Sequence, residues 1–165
     1  SYIIHHNFAG NKNYHLFAVC DGHGLNGHHA SGFVKQHLPR NSNFLMAFGL
    51  IYRFKGNLEA HFRGISIDDD TRLRDAIMQG FNQTNRELLT STINVNFSGS
   101  TTVSVLVLND RIISANVGDS RAIVAKFKNN LWTAVPLTID HKPDDKREMQ
   151  RILSNGGRVE SFKGN

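Results

Sequence analysis

The first sign of chemistry in this sequence is an apolar run that stops at a carboxylate. Residues 16–20 (Leu-Phe-Ala-Val-Cys) are rich in strand formers, and Asp21-Gly22-His23-Gly24 follow at once. We expect a buried strand that ends in a site, because Asp21 supplies a hard oxygen ligand for a metal ion. The glycines allow a sharp turn and bring a bare backbone carbonyl close to such an ion. His23 is expected at the rim, where a side chain that titrates near neutral pH is useful.

Three later stretches carry hydroxyl, glycine and acidic residues at close spacing. They are Ser98-Gly99-Ser100-Thr101-Thr102, Asn116-Val117-Gly118-Asp119-Ser120-Arg121, and Asp140-His141-Lys142-Pro143-Asp144 leading to Gly156-Gly157-Arg158-Val159. With the motif at 21–24, and in this order, they resemble the signatures of the metal-dependent protein serine/threonine phosphatases, the protein phosphatase 2C family. The resemblance covers residues 2–159 except an insert at 41–67, and it identifies residues 1–165 as the N-terminal portion of a catalytic domain.

The resemblance implies hydrolysis of phosphoserine and phosphothreonine in proteins by a water held between two Mg²⁺ or Mn²⁺ ions. Asp21 is then expected to bridge the ions, Gly22 to offer its carbonyl directly or through a water, and His23 to protonate the leaving oxygen. Asp119 either helps to hold a third, weaker ion or caps its own turn. Thr101 is expected beside the metal ligands rather than among them.

Each of these residues also has a simpler interpretation. Asp-Gly often makes a plain turn after a strand, and His23 could be a satisfied structural histidine. His5 and His6 are expected to be exposed polar positions. His28 and His29, beside the site, are expected to be solvent-exposed or to contact the substrate, and binding of a transition metal is the less favoured alternative because two-metal chemistry uses oxygen ligands. The run Asp68-Asp69-Asp70 precedes a helical pattern and is expected to cap it rather than to bind metal.

The pattern of elements predicts an α+β fold. Strands are expected at 1–8, 15–20, 101–108 and 112–117, followed by a meander at 121–127 and 132–137. Helices are expected at 30–38, over about twenty residues from Asp70, and from Pro143 to a C-cap at Gly156-Gly157. Residues 41–67 are interpreted as a variable helical insert. The resemblance implies a four-layer sandwich of two mainly antiparallel β-sheets flanked by helices, present here only in part.

Composition narrows the class of protein. The chain has 165 residues and a net charge of +5, but its basic residues are scattered singly, so nucleic acid is not an expected partner. The one cysteine, Cys20, excludes an internal disulfide and is expected in the core, which fits an intracellular, most simply cytoplasmic, protein. The most apolar stretch, 44–54, is too short to cross a bilayer.

Two hypotheses about function follow. The first is a phosphatase that acts on phosphorylated proteins, in which regions outside this chain supply the remaining acidic metal ligands that the resemblance implies. The second is a catalytically inactive phosphatase-like domain that serves as a structural or binding module in a larger assembly. In either case the 165-residue chain alone is expected to be inactive and poorly folded, because its sheets lack partner strands.

Overall fold

The computed structural model describes residues 1–39, 44–47, 50–53, 57–62 and 64–160. Its elements, in chain order, are β1 (Tyr2–His6), a 3₁₀ turn (Phe8–Gly10), β2 (Tyr14–Val19), β3 (Gly22–His23), α1 (Gly27–His37), β4 (Phe44–Ala47), β5 (Leu50–Arg53), α2 (Asn57–Phe62), α3 (Asp70–Leu89), β6 (Gly99–Ser100), β7 (Thr102–Leu108), β8 (Arg111–Val117), β9 (Ile123–Lys128), β10 (Leu131–Pro136) and α4 (Lys146–Ser154). Antiparallel sheets and helices in one chain confirm the α+β class.

The central feature is a four-stranded antiparallel sheet in the order β1-β2-β7-β8. The predicted strands at 1–8, 15–20, 101–108 and 112–117 are therefore confirmed, with ends shifted by one or two residues. Strand β2 lies inside this sheet, and its alternate residues Leu16 and Ala18 are buried, 0% and 5% exposed. Cys20 is buried as predicted, and burial raises the pKa of its thiol.

The opposite face of this sheet is apolar and open. Tyr2, Ile4 and Val19 lie on it and are each more than half exposed. In the four-layer arrangement of the predicted fold, the second sheet packs against this face.

Helix α3 is the twenty-residue amphipathic helix that the sequence predicts. The Asp69 carboxylate accepts a hydrogen bond from the Arg72 backbone N–H at 3.0 Å, so the aspartate run caps the helix, as expected. Arg111 at the start of β8 pairs with Asp70 and donates to the Ile67 carbonyl, which ties the start of α3 to the sheet.

Helix α1 begins at Gly27, three residues before the predicted start at 30. The reason is a close backbone contact: a Cβ on Gly27 would lie 2.5 Å from the carbonyl carbon of Gly22. Glycine at both positions lets the first turn of α1 lie directly against β3, a contact that helical periodicity does not encode.

The prediction of a variable helical insert at 41–67 is wrong for its first described part, which forms two strands, while several of its residues lie outside the described ranges. Strands β4 and β5 pair as an antiparallel hairpin, and among the described residues of 41–67 the helical segment is α2. Strand β4 is a four-residue apolar run and β5 ends in Arg53, and segments this short do not by themselves distinguish a strand from a helix. The boundaries of the insert as a domain feature stay a prediction.

The C-terminal elements differ in two respects from the prediction. Helix α4 begins at Lys146, with Asp145 as its N-cap, instead of at Pro143. Strands β9 and β10 pair with each other in a separate two-stranded sheet, instead of continuing the meander from β8. Helix α4 ends as predicted: the Gly157 N–H donates to the Ile152 carbonyl at 2.9 Å and the Gly156 N–H to the Leu153 carbonyl at 3.1 Å, with φ at Gly156 of +76°. This pair of bonds is a Schellman motif.

Gly80 lies where α3 crosses α2, and we predict that Gly80→Ala destabilises the protein by about 1–3 kcal/mol. An added methyl would lie 2.6 Å from Leu58 Cδ2 and 3.1 Å from its Cα, so the helices would have to separate. The matched control is Gly32→Ala in α1, where the methyl meets nothing within 4 Å. That variant should gain up to about 1 kcal/mol from helix propensity. Urea unfolding curves of both variants test the contrast, and equal effects would contradict the packing argument.

Candidate functional site

The site lies at the end of the sheet where β2 stops. Strand β3 continues directly from Asp21 and pairs with β6, with Gly22 opposite Ser100 and His23 opposite Gly99. The first two motifs of the sequence are therefore neighbours, although about 75 residues separate them along the chain. The Thr101 N–H donates to the Asp21 carbonyl at 2.8 Å and fixes this junction.

Thr101 connects the site's two acidic turns. Its hydroxyl accepts from the Asp21 N–H at 3.2 Å and shares a 2.6 Å hydrogen bond with the Ser120 hydroxyl, next to Asp119. Its methyl packs on Gly118, where a Cβ would lie 2.7 Å away. Thr101 is only 9% exposed. Its position agrees with the expected place beside the ligands, and its role stays a prediction.

Asp21 and Asp119 are both exposed and stand at the same end of the sheet. Among the described residues, no hydrogen bond or ion pair engages either carboxylate. By contrast, several other aspartates already serve as helix caps or ion-pair partners: Asp69, Asp70, Asp140 and Asp145. Asp21 and Asp119 are thus available to an incoming cation in a way that these four are not.

Two glycines keep the backbone compact around Asp21. A Cβ on Gly22 would lie 2.0 Å from the Gly27 carbonyl oxygen. Gly24 has φ of +78°, and a Cβ there would lie 2.1 Å from the Phe97 carbonyl oxygen. Residues with side chains do not fit at either position, so the turn requires the glycines that the sequence analysis singled out.

His23 is exposed and forms one wall of a cavity of about 310 Å³. Apolar side chains of α1 and α3, together with the Ser98-Gly99-Ser100 backbone, make the other walls. Gly99 lies directly under the imidazole, because a Cβ there would be 2.9 Å from Nε2. The exposed His28 and His29 open α1 nearby, with ring centroids 3.8 Å apart.

An ion pair beside the site was not predicted from the sequence. The Arg121 guanidinium donates two hydrogen bonds to the Asp140 carboxylate, at 2.8 and 2.9 Å, and Lys142 Nζ lies 3.8 Å from the same carboxylate. The His141 N–H donates to the Gly118 carbonyl at 2.9 Å. Arg121 and Asp140 each belong to one of the motifs described above, but they are nineteen positions apart, and no local sequence pattern indicates that they pair. Asp140 and His141 thus both help to hold the loop that precedes α4.

The Arg121 guanidinium holds the pKa of Asp140 below its usual value of 3.8. The charged carboxylate therefore favours the folded state above that pH, and this stabilisation disappears as the pH falls through the lower folded pKa. We predict that Asp140→Asn lowers the urea midpoint at pH 7, with a difference that shrinks as the pH falls below 3.8 and through the lower folded pKa. Asp144→Asn in the same loop is the control, and a pH-independent loss in Asp140→Asn would contradict the ion-pair explanation.

The donors at this end of the sheet suit a hard divalent cation. Mg²⁺ is commonly held by one or two carboxylates and completes its shell with other oxygens, a description that fits Asp21, Asp119 and backbone carbonyls. Within the described ranges, however, no three acidic, histidine or cysteine side chains converge on one point. These residues therefore supply only part of the ligands that a two-ion centre needs.

In the same described ranges, no helix is long and apolar enough to span a membrane.

The fold and the site define an α+β domain with carboxylates gathered at one end of its antiparallel sheet. Residues 2–165 match the sequence profile of the family described as Protein phosphatase 2C. The chain belongs to this family, which confirms the resemblance seen in its motifs.

The chain is also similar to curated plant proteins. It is 35% identical over 162 residues to Probable protein phosphatase 2C 35 of Arabidopsis thaliana, which covers 96% of this chain and 40% of that protein. It is 33% identical over 175 residues to Probable protein phosphatase 2C 14 of Oryza sativa subsp. japonica, covering 95% of this chain and 34% of that protein. The chain thus spans well under half the length of these relatives.

Solved structures agree on the fold. A serine-threonine phosphatase 2C from Toxoplasma gondii superposes with a TM-score of 0.68 at 23% identity, covering 93% of this chain and 48% of that one. A bacterial serine phosphatase superposes with a TM-score of 0.55 at 22% identity, covering 86% of this chain and 54% of that one. At such identities the likeness establishes the architecture alone.

Proposed function

We propose that the full-length protein is a metal-dependent phosphatase that hydrolyses phosphoserine and phosphothreonine in proteins. The observation that carries this proposal is that Thr101 joins the turns of Asp21 and Asp119 at the end of the sheet where the strand bearing His23 pairs with β6. Membership of the family supports the same conclusion.

The chain's own residues divide the work as follows. Asp21 would hold a divalent cation through its carboxylate, and the Gly22 carbonyl would add an oxygen ligand close by. Asp119 contributes a second carboxylate from the neighbouring turn, for an additional and weaker ion. Thr101 fixes both turns through backbone and hydroxyl hydrogen bonds. Bound Mg²⁺ or Mn²⁺ supplies an activated water and neutralises phosphoryl charge.

His23 acts at the leaving group. Its imidazole is exposed at the rim, supported from below by the bare backbone of Gly99. From there it donates a proton to the serine or threonine oxygen as the ester bond breaks. The cavity beside it can admit a side chain of the protein substrate that flanks the phosphorylated residue.

The test is dephosphorylation of a phosphoserine or phosphothreonine peptide by the full-length protein. We expect turnover with Mn²⁺ or Mg²⁺ and none after chelation of the metal, with activity restored when the metal returns. A protein that folds and binds the metal but never releases phosphate would overturn the proposal. That outcome would favour the alternative, a non-catalytic module within a larger assembly.

We propose further that this activity operates inside the cell, most simply in the cytoplasm, on phosphorylated proteins. A single buried cysteine supports a reducing compartment. Imaging of the full-length protein with a terminal fluorescent tag tests this, and a secreted product would contradict it.

A further inference from the structure

Thr101 bonds to the backbone on both sides of Asp21. Its N–H donates to the Asp21 carbonyl at 2.8 Å, and its hydroxyl accepts from the Asp21 N–H at 3.2 Å. Thr101 is only 9% exposed, so these bonds are largely shielded from competing water. The side chain of the same threonine also contacts the turn that carries Asp119, and it therefore connects the two acidic turns.

Both chain neighbours of Asp119 are fixed by Thr101. On one side, the Ser120 hydroxyl shares a 2.6 Å hydrogen bond with the Thr101 hydroxyl. On the other side, Gly118 has a φ of +96°, and its backbone packs so closely on the Thr101 methyl that an added Cβ would lie 2.7 Å from Cγ2. Asp119 is thus held between two anchors that belong to one threonine.

The Gly118 carbonyl is fully used within the fold. It accepts hydrogen bonds from the Asn116 side-chain amide and from the His141 backbone N–H, each at 2.9 Å. Because a carbonyl oxygen has two lone pairs, both are engaged. Gly118 therefore does not offer its carbonyl to an ion, and the exposed Asp119 carboxylate is the acidic ligand that this turn presents.

We propose that Ser120 is a positioning residue for the ion held by Asp119, an inference that rests on the proposed function. The Ser120 hydroxyl fixes the backbone that follows Asp119, so the carboxylate is oriented before metal binds. A ligand that is ordered in advance loses less conformational entropy on binding, which strengthens the weaker site. The hydrogen bond lies within this chain and needs no open surface, so it is compatible with a second sheet packed on the apolar face.

The test is calorimetric titration of the metal-free full-length protein with Mn²⁺. Asp119→Ala identifies the weaker class of site by removing it. Ser120→Ala should weaken that same class about 10–100-fold, the usual cost of losing a residue that supports a metal ligand, and should leave the tighter class unchanged. Ser120→Thr keeps the hydroxyl and should restore most of the affinity.

Thr101→Val tests the connection between the two turns. It keeps the shape of the side chain but removes the hydroxyl, so it breaks the bonds to Asp21 and Ser120 together. Both classes of Mn²⁺ site should weaken, and adding Ser120→Ala should cause little further loss at the weaker one, because the bond between the two hydroxyls is already gone.

The matched control is Ser114→Ala in β8. It removes a hydroxyl bond of similar length, 2.7 Å, but to the Leu137 carbonyl rather than to Thr101. It should leave both Mn²⁺ affinities unchanged. Urea unfolding of the metal-free variants compares their stability, and an equal loss of Mn²⁺ affinity in Ser114→Ala and Ser120→Ala would contradict a positioning role.

The remaining outcomes distinguish this inference from the proposed function. Unchanged affinity at the weaker site in Ser120→Ala, with normal turnover of a phosphopeptide, would overturn the role of Ser120 and leave the phosphatase activity intact. So would a single class of Mn²⁺ site that Asp119→Ala leaves unchanged, since no ion would then depend on Asp119. A full-length protein that binds no Mn²⁺ would overturn both proposals.

Discussion

Replacement of Asp21 by alanine is expected to lower the Mn²⁺-dependent phosphatase rate of the full-length protein by at least about 100-fold. The reason is that Asp21 is a direct ligand in the proposed site, and even the loss of residues that merely support metal ligands costs about 10–100-fold. The measurement is kcat/KM on a phosphopeptide across a range of Mn²⁺ concentrations. The concentration of metal that gives half-maximal activity should rise as well.

The control for Asp21 is Asp110→Asn. Asp110 is an exposed carboxylate in the turn between β7 and β8, at the opposite end of the sheet from Asp21. Its removal changes the protein's charge by the same amount but touches no part of the site. Full activity in Asp21→Ala, or an equal loss in Asp110→Asn, would refute the assignment of Asp21 as a metal ligand.

Replacement of His23 by alanine is expected to lower kcat about 10²–10⁴-fold on phosphoserine peptides, the usual contribution of a general acid. A histidine that served only the fold would instead reduce stability and leave kcat per folded molecule unchanged. Thermal unfolding of the same variant separates these cases. Because His23 is exposed, we expect little change in the unfolding midpoint.

The choice of substrate provides an internal control for His23. When an aryl phosphate of an acidic phenol is hydrolysed, the phenolate leaves without being protonated. The His23→Ala variant should therefore lose far less activity on this substrate than on a phosphoserine peptide. Gly99→Ala offers a complementary test, since its methyl would lie 2.9 Å from His23 Nε2 and displace the ring. The Gly99→Ala variant should likewise lose more activity on the phosphoserine peptide than on the aryl phosphate. Equal losses on both substrates would exclude proton donation by His23.

Much of the fold was predictable because its signals are local. The apolar run before Asp21, the amphipathic period of α3 and the glycines after α4 each act within one element, where neighbouring residues alone decide the structure. The motif at 21–24 likewise predicted that Asp21 would follow directly after a strand of the sheet. The hairpin at β4 and β5 was missed because a four-residue apolar run does not distinguish a strand from a helix.

The sequence by itself determined most of the elements, the family and the residue types of the candidate site, since these depend on short-range periodicity and on a few fixed motifs. Only the tertiary structure decided which of those residues meet. Thr101 reaches Asp21 across 80 positions, Arg121 holds Asp140, and Ser120 meets Thr101. The physical reason is that strand register and helix packing follow from the burial of the whole core. The local sequence around each contacting residue therefore does not indicate which distant residue it meets.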